Sequence, residues 1–115
     1  MRRLILILTG IVVLSLSACE KYIIEKPVIE EGVSFSLEIQ PVFDAACILC
    51  HFGTIEPDLR SEVSYDAIIN GEYVNTSDPE ESVIYQQLRG DHDDRTTEEG
   101  KLLILQWITE GALNN

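Results

Sequence analysis

Apolar and polar positions along this chain of 115 residues fall into two regimes. From Leu4 to Leu14 the residues are apolar except for Thr9 and Gly10, whereas beyond residue 33 short apolar stripes recur at helical spacing with polar turns between them. Four helices are predicted there, with no convincing alternating strand and no internal repeat. The stretch SFSLEIQPVFDAA brings Leu37, Ile39, Val42 and Phe43 near one another on a helix surface, and Pro41 limits its early part to one turn. SYDAIING starts at Ser64, a good N-cap, and stops at Asn70-Gly71. DPEESVIYQQLRG has Asp78 as cap, Pro79 at the first helical position, acids in the first turn and Gly90 as the stop. In the last helix Thr96 and Glu99 have capping-box spacing and Gly111 marks the end. Leu102, Leu105 and Ile108, with Ile104 and Trp107, form a broad stripe to bury against the first helix, while Lys101 and Gln106 leave a polar edge. Trp107 suits core packing and cofactor contact equally. The fold class expected is all-α, one small helical domain over residues 34–115.

The first eighteen residues read as a signal peptide: Arg2 and Arg3, the apolar run, then small residues. The run is too short and too interrupted for a transmembrane helix, which needs about 20 apolar residues. The junction Leu16-Ser17-Ala18-Cys19 resembles the lipobox of bacterial lipoproteins. That resemblance implies that residues 1–18 are removed and that Cys19 becomes a lipid-bearing N-terminus. Residues 19–33, with alternating charges, Pro27 and Gly32, hold no lasting period and read as a lipidated tether. Loss of Arg2 and Arg3 takes the 8 basic residues to 6 against 20 acidic ones, a formal charge of −14. Such a field repels nucleic acid and acidic headgroups and favours basic partners. A domain this small sits near the limit at which an apolar core suffices without a metal, a cofactor or disulfides.

The densest chemistry is AACILCH, in which Cys47 and Cys50 stand three apart and His51 follows directly. In an exported chain a Cys-x-x-Cys-His group reads as a haem attachment site, where both thiols add to the vinyl groups of haem and the imidazole ligates iron. Three other readings compete. A thioredoxin-like redox pair would follow a strand in a βαβ unit. A closed zinc site could be completed by His92, although His51 beside Cys50 suits tetrahedral ligation poorly. A plain disulfide leaves His51 unexplained.

From IQPVFDAACILCHFG through EPDLR, SYDAIING and YVNTSDPEESVIYQQLRG to ILQWITEGALNN, the chain resembles the single-haem c-type cytochrome domains of bacterial lipoproteins, class I-like in fold. The resemblance implies a small helical domain wrapped around one covalent haem c. It further implies that Cys47 and Cys50 bind the haem, that His51 is the proximal iron ligand, that Pro57 and Leu59 line the pocket, and that Arg60 reaches a propionate. The family offers a methionine as sixth ligand before the last helix, but here that stretch reads GDHDDRTTEEG, with Arg95 at the expected place. The only methionine is Met1. His92 is then the candidate sixth ligand, with an open or water-bound iron, Lys101 or a tyrosine as the alternatives. Arg95 is no ligand, because its guanidinium stays protonated.

Two function classes follow, beside a third, non-haem possibility, a structural lipoprotein with a reducible disulfide. One is an electron carrier, not an enzyme, anchored by lipid on the periplasmic side of a bacterial membrane or at the outer membrane, exchanging single electrons with redox proteins that present a basic docking surface. The other is a five-coordinate haem protein that binds a small ligand, as a sensor or a peroxidase-like catalyst. Peroxidase chemistry would want a distal His and Arg on a helix, whereas His92 and Arg95 share a loop.

Overall fold

The computed structural model describes residues 32–115. The expected leader, the lipid-bearing Cys19 and all of the tether before Gly32 lie outside the described residues. Among the described residues there are helices, turns and loops but no strand, and no helix is long and apolar enough to cross a membrane.

A π-helical turn, Phe35–Ile39, runs into helix α1, Gln40–Ala46. Pro41 explains the widened turn. It has no N–H to give to the carbonyl four residues back, and the backbone before it adopts the wider ladder, with Gln40 N donating to Phe35 O. Ser34 caps the turn by accepting from Leu37 N, and its own N–H donates to the Glu38 carboxylate at 2.8 Å. The buried face carries Phe35, Ile39 and Phe43; Leu37, expected on that face, is exposed, because the π spacing rotates it outward.

Helix α2, Ser64–Asn70, follows a long loop, and helix α3, Val83–Arg89, follows a 3-10 turn at Pro79–Glu81. Helix α4, Glu98–Thr109, closes the domain. Four sequence expectations need correction here. The helix expected from Asp78 to Gly90 is split: Pro79–Glu81 is a separate 3-10 turn, Asp78 makes no side-chain cap bond, and Ser82, in extended conformation, precedes Val83. Ser64 is the first helical residue and not the cap, which is Val63; its buried hydroxyl donates to Gln40 Oε1 instead. In α4 the cap is Thr97, whose hydroxyl accepts from Gly100 N at 3.1 Å, not Thr96. The buried stripe of α4 is Gly100, Lys101, Ile104, Trp107 and Ile108, so Lys101 lies inside and Leu102 outside.

The core gathers Phe35, Ile39 and Phe43 with Leu59, Ile68, Leu88, Ile104, Trp107 and Ile108, and takes in Val33 at its start and Ala112 at its end. Phe35 lies centrally, edge-on to Tyr65 at 5.1 Å between centroids and tilted on Trp107 at 5.3 Å. Trp107 is a core residue, with its indole N–H donating to Leu113 O at 2.9 Å. The two ends of the domain are tied together: Val33 N donates to Glu110, Phe35 N to Asn115 Oδ1, and Ser36 N to Asn115 O.

Candidate haem site

Helix α1 delivers the cysteines. Its end continues as a turn in which Cys50 N and His51 N both donate to Cys47 O, at 3.1 and 3.0 Å. This winding places Cys47, Cys50 and His51 on one turn of backbone. The thiols are free, Cys47 half-buried and Cys50 exposed. Burial pushes the Cys47 thiol above its ordinary pKa.

The loop after His51 fixes its ring. Leu59 N donates to His51 O at 2.8 Å, closing residues 52–58 around the imidazole. Inside that closure His51 Nδ1 lies 3.1 Å from Pro57 O and 3.2 Å from Ile55 O. A carbonyl only accepts, so Nδ1 carries the proton and Nε2 keeps its lone pair for a metal. A carbonyl behind a ring nitrogen is the usual support of a ligating histidine. Pro57 therefore supports the site through its carbonyl. Leu59 is part of the buried core, and its carbonyl accepts from Gln40 Nε2 at 3.1 Å. Arg60, expected near a propionate, engages Asp58 with both Nε and Nη2, the latter at 2.6 Å. That guanidinium holds the Asp58 carboxyl below the usual carboxylate range.

His92 comes from the other end of the domain, in the run of turns between α3 and α4. Its backbone N–H donates to Gln87 O at 2.9 Å, and Arg95 N donates to its carbonyl at 3.0 Å. The ring is half-buried, and its Nδ1 is fully buried with no hydrogen-bond partner. It faces His51, with ring centroids 6.3 Å apart and planes at 45°. Two imidazoles bound on opposite sides of one metal at about 2 Å each hold their centroids about 6 Å apart. Lys101 does not compete for that position: its ammonium is held by Asp93 and Glu98, whose carboxylates push its pKa above the ordinary value.

The residue types present are those that would hold a covalent haem. Two free thiols stand on the turn, one imidazole offers Nε2, and a second offers a buried nitrogen that nothing else satisfies. Leu49, Phe52 and Ile55 beside them are exposed, Leu49 by 84%. The competing chemistries fit less well. Among the described residues no group of three or more His, Cys, Asp or Glu converges on a metal position. Among the described residues no strand precedes the cysteines as a thioredoxin-like unit requires.

Sequence reasoning missed two features of this site. The Gln40 amide braces the loop behind His51, and Lys101 is buried beside the His92 loop. The three-residue spacing of Glu98 and Lys101 is a legible pair, but nothing in the sequence points to Asp93 as the second partner. Comparison of the chain with protein-family models, with curated proteins and with solved structures finds no match.

Proposed function

We propose that this chain is an exported, lipid-anchored c-type cytochrome that carries single electrons on one covalently attached haem, whose iron His51 and His92 would ligate. The haem, when bound, supplies an iron centre that changes oxidation state by one electron. Cys47 and Cys50 hold it through thioether bonds to its vinyl groups. His51 offers Nε2 because Pro57 and Ile55 occupy Nδ1. His92 would supply a second imidazole to the iron and so deny small molecules a place there, which would separate a carrier from a ligand-binding haem protein. Cys19 would hold the protein at a bacterial membrane on the periplasmic side or at the outer membrane, and the acidic surface would select basic redox partners.

The observation that carries this reading is the convergence of the two histidines, 6.3 Å between centroids, with the buried Nδ1 of His92 left without a partner. Residues 32–115 contain no methionine, so a histidine pair is the ligand set that keeps iron six-coordinate. Two histidines give a lower potential than histidine with methionine.

The test is spectroscopic. Protein made with haem attachment machinery should keep its pigment through acid-acetone extraction and should lack the near-infrared band of sulfur ligation when oxidised. Its ferrous form should be low spin and resist carbon monoxide, and His92→Ala should turn it high spin and reactive. Rapid carbon monoxide binding by the wild type, unchanged in His92→Ala, would replace this reading with the five-coordinate ligand binder.

A further inference from the structure

The loop that carries His92 is held mostly to itself. Asp93 N donates to Gly90 O, Arg95 N to His92 O, and Arg95 pairs loosely with its neighbour Asp94 at 3.6 Å. His92 N adds a bond back to the end of α3. Such a loop can pivot on α3 unless something fixes its far side. Among the described side-chain hydrogen bonds, the one from residues 90–95 to α4 is Lys101 Nζ to Asp93 Oδ1, at 2.6 Å.

The lysine is unusual in its burial. Its side chain is 3% exposed, while its two carboxylate partners, Asp93 and Glu98, are 67% and 82% exposed. A buried ammonium is costly unless it is paired and hydrogen-bonded, and both carboxylates meet it at 2.6 Å from the rim. The two partners differ in what they tie together. Glu98 lies three residues earlier on the same helix, so its bond is local to α4. Asp93 adjoins His92, so its bond joins the ligand loop to the helix that anchors the core.

We infer that Lys101 is a positioning residue for the sixth iron ligand: by gripping Asp93 it latches the His92 loop onto α4 and holds that imidazole toward His51. The inference rests on the proposed pairing of His51 and His92 at the iron. Its consequence is that the ion pair between buried Lys101 and Asp93 at the rim sets how often the sixth position opens.

Asp93→Asn and Glu98→Gln form a matched pair for the test, because each neutralises one of the two carboxylates that meet Lys101 at the same distance from an exposed position. The full haem-loaded chain is used, and the ferrous spectrum, the carbon monoxide association rate and the melting temperature are recorded for each variant, for Lys101→Met and for His92→Ala. Asp93→Asn should bind carbon monoxide about tenfold faster than wild type and gain high-spin character, whereas Glu98→Gln should stay within about twofold. Their melting temperatures should be similar, so that a general loss of stability does not account for the difference. Lys101→Met should resemble Asp93→Asn; if it does not fold, the surface pair still decides. Equal carbon monoxide rates in Asp93→Asn, Glu98→Gln and wild type, while His92→Ala reacts fast, would overturn the latch and leave the axial pair standing. A wild type already indistinguishable from His92→Ala would overturn the pairing and the latch with it.

Discussion

Gln40 joins three segments through one side chain. Its amide nitrogen donates to Asp44 Oδ1 and to Leu59 O, and its carbonyl oxygen accepts from the buried Ser64 hydroxyl. Ser64→Ala would leave that oxygen buried without its donor, and we expect a loss of about 1–3 kcal/mol in denaturant unfolding of the haem-loaded protein. The strap behind His51 depends on the same residue, since Leu59 is where the loop returns to the core. At the loop surface, Arg60 determines how Asp58 titrates, chiefly through its side-chain hydrogen bond. Asp58 is depressed in the folded state, so its contribution to stability is present above about pH 4 and is lost as pH falls through its lowered pKa. Arg60→Ala should move the Asp58 titration up toward the ordinary carboxylate value, read by NMR. A titration that stays low would mean that another donor holds the carboxylate.

Helix α4 shows how a single residue of register decides an element's role. Thr97 caps it and Gly100 is buried beneath it, where an added Cβ would stand 2.6 Å from Thr96 Oγ1 and 3.4 Å from Val42 Cγ1. An exposed helical glycine changed to alanine gains about 1 kcal/mol from propensity. Gly100→Ala should instead destabilise by about 1–3 kcal/mol, because α4 must back away from α1 or displace Thr96. Thr97→Ala should cost about 1 kcal/mol, the usual loss of an N-cap, and thermal unfolding of the two variants checks both values. The spacing of Thr96 and Glu99 matched a capping box in the sequence, yet Thr97 and Gly100 hold those positions in the fold. Adjacent threonines offer two equivalent caps, and packing of Gly100 under Thr96 and against Val42 selects between them.

The whole molecule has one apolar interior and one corner left open. Phe35, Phe43, Trp107 and the isoleucines fill the space between α1 and α4, while Leu49, Phe52 and Ile55 stay outside beside the free thiols and the facing imidazoles. A domain of this size gains little margin from such a core alone. Replacing both cysteines, Cys47→Ala with Cys50→Ala, should abolish the pigment and lower the melting temperature by more than about 10 °C. The acidic surface acts at a longer range. Electron exchange with a basic partner should slow about tenfold from low to high salt, and a rate independent of ionic strength would exclude electrostatic steering.

Local chemistry was legible in the sequence wherever neighbours along the chain are the whole cause. Pro41 stands in the first turn of α1, where a missing N–H is tolerated, Gly90 ends α3, and Cys-x-x-Cys-His sits on one turn. The all-helical class followed from period alone. What the sequence left open was decided by contacts between distant segments. The nearness of the His92 and His51 rings comes from the loop after α3 and not from any local pattern; Ser64 looked like a cap until Gln40 claimed its hydroxyl; Lys101 looked like a surface residue until Asp93 met it from another loop. Each is a polar group whose partner lies in another segment, and burial makes the partner matter. Period and spacing describe one segment at a time, whereas satisfying a buried donor or ligand requires two.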